Sequence, residues 1–394
     1  MGTACNVRCV REAILCTLTA LGGFVPVLLL AGCLSTVDPG DDEALPALHT
    51  LMDAPASTPQ PALAPSPAAY RQVELGPDQG TGFVNGWLTA AGAYDLYALG
   101  PGRVGDRWRI GQLWPPFDSG VVLALFDEDL CLLARAGSPS SDPLDHVLRR
   151  DAASVFLGVT TACDAPGGAY WLQIRRSAGA DVPPPRRQIV WLNFAGATDV
   201  SIGRYRHLSF GPFRGAMLGA DSAGATAELK QVITDTLRGN YADYDVTVLT
   251  SDQVRQPAEP HAVIHFGGHS DTQLGVAADV DEYNAWPAQT AVVFVESFGQ
   301  YATMPLTAGE LGTMIGNVAS HELGHLLGLY HVRQPDQIMA AAETCSAADM
   351  ARRQSFGLAD LGACVFPVGQ LNADMLLQDA VGLRPQQSRQ RGPG

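Results

Sequence analysis

Between residues 70 and 180 the apolar positions come in short runs: AYDLYALG, DRWRIGQL, GVVLALFD, LCLLARAG, SVFLGVTT and AYWLQIRR. Gly, Pro and Asp fall between them. Runs of this length, alternating or continuously apolar and closed by turn residues, predict strands, and no helical period interrupts the series. An all-β sandwich is therefore expected. Beyond residue 187 the texture changes. QIVWLNFAG, DVTVLTS, HAVIHFGG and TAVVFVESF predict buried strands, while TAELKQVITDTLRGNYADY places Leu229, Val232, Ile233 and Leu237 at helical spacing. Strands alternating with helices predict an α/β layer arrangement. A second helix is predicted in TAGELGTMIGNVASHELGHLLGL, where Thr307 and Glu310 form a capping-box pattern and Leu311, Met314, Ile315 and Val318 make an apolar stripe. CSAADMARRQSFGLADLGACVF reads as one more helix near the C-terminus.

The remaining segments set the organisation of the 394-residue chain. Arg8 and Arg11 precede an apolar run that ends in Leu30-Ala31-Gly32-Cys33, the layout of a secretory signal. Its end resembles a bacterial lipobox, which implies that Cys33 is acylated and that the protein is exported and held at a membrane by lipid, in the periplasm or at the cell surface. The expected divisions are a signal over 1–32, a Pro/Ala-rich tether over 33–69, the sandwich over 70–180, a linker over 181–187, a second domain over 188–384 and a tail over 385–394. The net charge of −15 argues against a nucleic-acid partner, which would want a basic face. A monomer is expected. With Cys33 acylated, Cys131, Cys163, Cys345 and Cys364 remain after the signal, an even number that suits an oxidising compartment. The simplest pairing keeps each bridge within one domain, Cys131 with Cys163 and Cys345 with Cys364, although four cysteines allow three pairings. No aromatic platform stands out among the sandwich strands.

The chemistry gathers where the helical stripe reaches His321, Glu322 and His325. A core helix would carry aliphatic residues there, and an unsatisfied buried polar group costs roughly 1–3 kcal/mol. Two histidines four apart on a helix lie on one face and can bind one ion, with Glu322 beside them to take a proton from water. Gly328 tolerates the positive φ that ends a helix and lets the chain return His331 as a third ligand. Three protein ligands with one open position is the catalytic zinc arrangement.

His321-Glu322-x-x-His325-x-x-Gly328-x-x-His331, followed by Met339, resembles the metzincin zinc metalloproteases, and the short gap to Met339 is similar to that of the matrixins. The sandwich pattern resembles the pre-peptidase C-terminal domain. These likenesses imply one catalytic Zn2+ on His321, His325 and His331, Glu322 as general base, Met339 in the turn beneath the histidines, and a protein or peptide substrate. They also imply a twisted mixed sheet over a long active-site helix, with substrate paired to an edge strand at Leu274, Gly275, Val276 and Ala277. Val332, just past the third histidine, leaves the subfamily open. Matrixin-like domains also carry structural zinc and calcium near the equivalents of His261, His265, His269, Asp271, Asp279, Asp281 and Glu282. Their ligand pattern is not reproduced, and partly exposed histidines beside an acidic loop are the preferred reading over a structural Ca2+ or second Zn2+. The rival function is a non-catalytic surface adhesion protein with a structural or vestigial zinc site.

Overall fold

The structure, a computed structural model, describes residues 70–385 apart from 77–79, 115–119, 138–142, 164, 302–303 and 342–343. The expected signal, Cys33, the tether and the tail from residue 386 lie outside the described residues.

Nine strands build the first layer pair: β1 (Tyr70–Gln72), β2 (Thr81–Trp87), β3 (Tyr94–Gly102), β4 (Arg107–Trp114), β5 (Val121–Phe126), β6 (Leu132–Gly137), β7 (Leu144–Val147), β8 (Ala152–Thr161) and β9 (Ala169–Ser177). They form a five-stranded sheet, β1-β3-β8-β5-β6, and a four-stranded sheet, β2-β9-β4-β7. Alternate residues meet between the sheets: Trp108, Ile110, Tyr170, Leu172 and Ile174 from one, Tyr97, Leu99, Leu123, Leu125 and Leu157 from the other. The opposite face of the five-stranded sheet is apolar too. Its Leu96, Val122, Ala124, Phe126 and Leu132 belong to the core of the second half of the chain. Both faces of β5 are thus covered, which is why VVLALF shows no alternation and is buried throughout.

The second half contains β10 (Gln188–Asn193), β11 (Ala197–Ile202), β12 (Tyr205–Phe210), α1 (Thr226–Asn240), β13 (Val246–Thr250), β14 (Ala262–Phe266), β15 (Gly275–Ala277), β16 (Thr290–Val293) and α2 (Ala308–Leu326). The sheet order is β13-β10-β14-β16-β15. The first four strands run parallel, and β15 closes the edge antiparallel to β16. Leu229, Ile233 and Leu237 of α1 and Met314, Ile315, Ala319 and Leu323 of α2 pack with Ile264, Ala291 and Val293 of the sheet. On the other face, the β11–β12 hairpin lays Ile202 against Val292 and Phe294. The fold is a β-sandwich followed by an α/β domain, as the patterning predicts, with the mixed sheet and long helix that the family resemblance implies.

Two expectations are corrected. The segment from Cys345 to Phe366 is not one helix. Only α3 (Ala347–Met350) is helical, and Leu358–Asp360 forms β17, antiparallel to β18 (Gln370–Asn372); the helix that follows is α4 (Ala373–Ala380). Strand pairing across a turn, a tertiary demand, overrides local propensity here. The disulfide pairing also differs. Cys163 bonds to Cys364, with Cα atoms 4.9 Å apart and a sequence separation of 201. Cys131 is buried and free, and Cys345 is half-buried and free. Pairing within domains assumes two separate bodies. The packed outer face of the five-stranded sheet instead carries Cys163 to the loop after β17, while the Cys131 backbone is bridged to Gln370.

One more feature goes beyond the pattern. On the solvent face of the four-stranded sheet, Phe83, Trp87, Leu113 and Trp171 are all exposed.

Candidate metal centre

Helix α2 begins with the predicted cap: Thr307 Oγ1 accepts from the Glu310 N–H (3.2 Å), and Glu310 Oε2 accepts from the Thr307 N–H (2.8 Å). From that fixed start the stripe buries Leu311, Met314, Ile315, Ala319, Leu323 and Leu326. Its last turns bring His321, Glu322 and His325 under the free edge of the sheet. The helix stops at Leu327, and Gly328 turns the chain at φ 91°, a backbone that side chains with a Cβ rarely adopt. Three residues later His331 faces back toward the helix.

The Nε2 atoms of His321, His325 and His331 lie 3.1 Å from one another. His321 Nδ1 is 2.8 Å from the Ile338 carbonyl and His325 Nδ1 is 2.8 Å from the Leu329 carbonyl. A carbonyl only accepts, so both Nδ1 atoms carry the proton and both Nε2 atoms present lone pairs. Lone pairs converging at this spacing repel unless a cation lies among them. Tetrahedral zinc with bonds of about 2.0–2.1 Å needs ligand nitrogens about 3.3 Å apart, so the donor set fits such an ion. Burial holds the imidazoles neutral: His321 falls to about 3, and His325 is lowered well below its ordinary value. Among the described residues this is the one cluster of three such side chains able to share a metal.

Glu322 is buried next to this triad. Burial pushes its carboxyl up to about 8. A cation on the histidines would favour its charged form again. The carboxyl lies against the backbone of β15: a Cβ on Gly275 would stand 2.5 Å from Glu322 Oε1, so only glycine leaves room for the acid there. Gly275–Ala277 pairs with Val293–Ala291 on one side and is the last strand of its sheet. The free edge at Leu274 to Ala277 therefore runs directly over Glu322.

Met339 is fully buried beneath the cluster, its sulfur against Gly324, where a Cβ would collide with it. The Val332 N–H donates to Met339 O (2.8 Å) and the Ala341 N–H to Val332 O (3.1 Å), so this turn is stitched to the residue after His331. Val332 is itself buried, an apolar β-branched residue in a two-residue bridge.

The other predicted histidines do not join the cluster. His261 Nδ1 contacts Glu259 O, His265 Nδ1 contacts Asn193 Nδ2, and His269 Nε2 contacts Asp271. Asp281 is buried and accepts from the Ala285 and Trp286 N–H groups. Glu282 serves differently. Its Oε1 accepts from the Arg135 N–H of β6 (2.7 Å) and from the Tyr330 hydroxyl (3.0 Å). The Gly362 N–H donates to His331 O (2.8 Å), two residues before the disulfide at Cys364. Arg135, Glu282, Tyr330 and Gly362 thus brace the third histidine. Nothing in local sequence spacing marks them, because the contacts span up to 147 residues.

Residues 250–354 match the family model of the matrixin peptidases, a span that contains all three histidines, Glu322 and Met339. Among solved structures, the chain is similar to a zinc-dependent peptidase from Methanocorpusculum labreanum (12% identity, TM-score 0.27, covering 45% of this chain and 97% of that one). It is also similar to archaemetzincin from Methanopyrus kandleri (14% identity, TM-score 0.26, 49% and 95%). A third is the pre-peptidase C-terminal domain of a Bacillus anthracis collagenase (14% identity, TM-score 0.18, 23% and 86%). None of the curated proteins matches. The family match and the histidine cluster together support a zinc metallopeptidase in general terms.

Proposed function

We propose that the chain is a zinc-dependent endopeptidase with His321, His325 and His331 as metal ligands and Glu322 as general base. The observation that carries this reading is the convergence of three histidine nitrogens beside a buried carboxylate, under an unpaired strand edge. Zinc held by these histidines supplies Lewis acidity, which acidifies water and polarises a scissile carbonyl. Glu322 takes the proton from the attacking water and hands it to the departing amine. The free edge at Leu274 to Ala277 pairs with an extended peptide through the main chain, holding it across the metal without needing a terminus, which favours cuts within a chain. Met339 and Val332 keep the loop that carries His331 in register with the helix.

Glu322→Gln keeps the shape and the metal ligands but removes the base. It should bind zinc as wild type does, by metal analysis, and lose peptide cleavage by at least roughly 100-fold. A Glu322→Gln protein that digests a proteome-derived peptide mixture as fast as wild type would sink the mechanism. Zinc-loaded wild type that cuts no peptide at all would sink the endopeptidase reading and leave the adhesion alternative.

We also propose that the chain is exported and anchored through Cys33. A Cys33→Ser variant should lose radiolabelled fatty acid and leave the membrane fraction; retention of label would count against it.

A further inference from the structure

The solvent face of the four-stranded sheet has an order that its exposure alone does not convey. Alternation puts Thr81, Phe83, Asn85 and Trp87 of β2 outward, with Val84 buried on the other side. On β9 the outward set includes Trp171, Gln173 and Arg175, and on β4 it includes Arg107, Arg109, Gly111 and Leu113. The register fixes how these meet. Phe83 lies opposite Gln173, Asn85 opposite Trp171, and Trp87 opposite Ala169. Arg109 lies opposite Arg175 on one side and Asp145 on the other.

The face therefore has two ends. At one, Phe83, Trp171 and Trp87 step diagonally across two neighbouring strands over roughly 13 Å, with the amides Asn85 and Gln173 between the rings. At the other, Arg107, Arg109 and Arg175 stand around a single acid, Asp145, which pairs with the first two (2.7 and 3.2 Å). Gly111 leaves a gap between the ends, and among the described residues beyond its chain neighbours nothing lies within 4 Å of where its Cβ would be. The face looks away from the second half of the chain, which is packed on the opposite sheet.

We propose that this face binds a strand of anionic polysaccharide. The C–H faces of sugar rings stack on the electron-rich faces of aromatic side chains, as other positively polarised edges do. The amides between the rings are placed for ring hydroxyls, and the arginine end matches carboxylate or sulfate groups. Charge favours such an occupant: on this face of a net −15 chain, Arg107, Arg109 and Arg175 stand around one aspartate. A protein-binding patch would want a purely apolar centre, whereas here the amides Asn85 and Gln173 lie among the rings. The inference does not depend on the peptidase reading.

The test uses the whole protein, with polygalacturonate as the acidic probe and its fully methyl-esterified form as the uncharged match, read by titration calorimetry. Wild type should bind the acid form, and the ester more weakly. Trp87→Ala with Trp171→Ala should weaken binding to both forms by roughly tenfold or more. Arg175→Ala should erase the preference for the acid form while retaining the affinity for the ester. Gly111→Glu adds bulk and charge into open space, so it should abolish binding with the melting temperature unchanged. Equal binding of acid and ester by wild type would overturn the proposal. So would full binding by the double tryptophan variant or by Gly111→Glu, or a dimer in solution that Trp171→Ala splits.

Discussion

The three histidines of the metal cluster are held in two different ways. His321 and His325 stand one turn apart on a 19-residue helix with a fixed N-terminal cap, and their rings are oriented by carbonyls at Ile338 and Leu329, within 17 residues in sequence. His331 sits on a loop whose position is shared with the sandwich. Tyr330 beside it bonds Glu282, which is bonded by Arg135 of the sandwich, and the Gly362 N–H that grips His331 O belongs to the strand end tied by Cys364 to Cys163. The difference separates what local spacing supplies from what the docked sandwich supplies. The helix makes a bidentate site on its own terms, and the sandwich is part of what makes it tridentate.

The sharpest way to break the loop side is at Gly328. Its φ of 91° costs a residue with a Cβ roughly 1–3 kcal/mol. A Cβ there would also stand 2.8 Å from the Glu282 Cα and 3.0 Å from Asp281 O. Gly328→Val should therefore displace both Glu282 and His331, giving a protein that retains α2 but loses zinc and peptidase activity together. Zinc bound to Gly328→Val at wild-type affinity would show that the loop is dispensable and the comparison wrong.

Opening the Cys163–Cys364 bond is the next largest perturbation. The double serine variant should lose about 2–4 kcal/mol of unfolding free energy. If the sandwich helps to hold the third histidine, zinc affinity should fall as well, measured by competition with a chelator, because Gly362 is released along with Cys364. Cys345→Ser, at a half-buried free thiol, should change neither quantity. A double serine variant that is less stable but binds zinc as tightly as wild type would confine the disulfide to stability.

The same divide explains what could be read from residues alone. The capping box, the stripe into His321, Glu322 and His325 and the turn at Gly328 are set by neighbours a few residues away, so spacing carries them, whereas the edge strand at Leu274 to Ala277 follows only from the family resemblance. The Cys163–Cys364 bond and the Arg135–Glu282–Tyr330 chain depend on the outer face of the five-stranded sheet being covered. The unbroken apolar run of β5 hints at that cover without naming the partner. Residues 345–366 depart from the expected helix for a related reason: pairing of Leu358–Asp360 with Gln370–Asn372 is decided across the turn. The aromatic face does not stand out in the sequence, although TGFVNGW alternates. Which half of that alternation meets solvent depends on the sheet behind it.

The perturbation confined to a single proton probes the seam itself. Burial pushes the Glu282 carboxyl up to about 7, against the lowering influence of the Arg135 N–H, the Tyr330 hydroxyl and the Arg135 charge, and Asp281 adds to the rise. A carboxyl raised from about 4.3 in the unfolded chain keeps its proton longer when folded. Folding is then most favoured by this group below about pH 4.3, and its contribution is lost as pH rises to about 7, where the unfolded state has already released its proton and the folded state has not. Beyond that pH the loss is constant. Glu282→Gln retains an oxygen acceptor for the Arg135 N–H and the Tyr330 hydroxyl without the ionisation. Metal-free Glu282→Gln should therefore lose less stability than metal-free wild type between pH 5 and 8, measured by urea denaturation, with His321, His325 and His331 common to both. Equal losses in the two proteins would place the titration elsewhere and leave the seam as packing and hydrogen bonds alone.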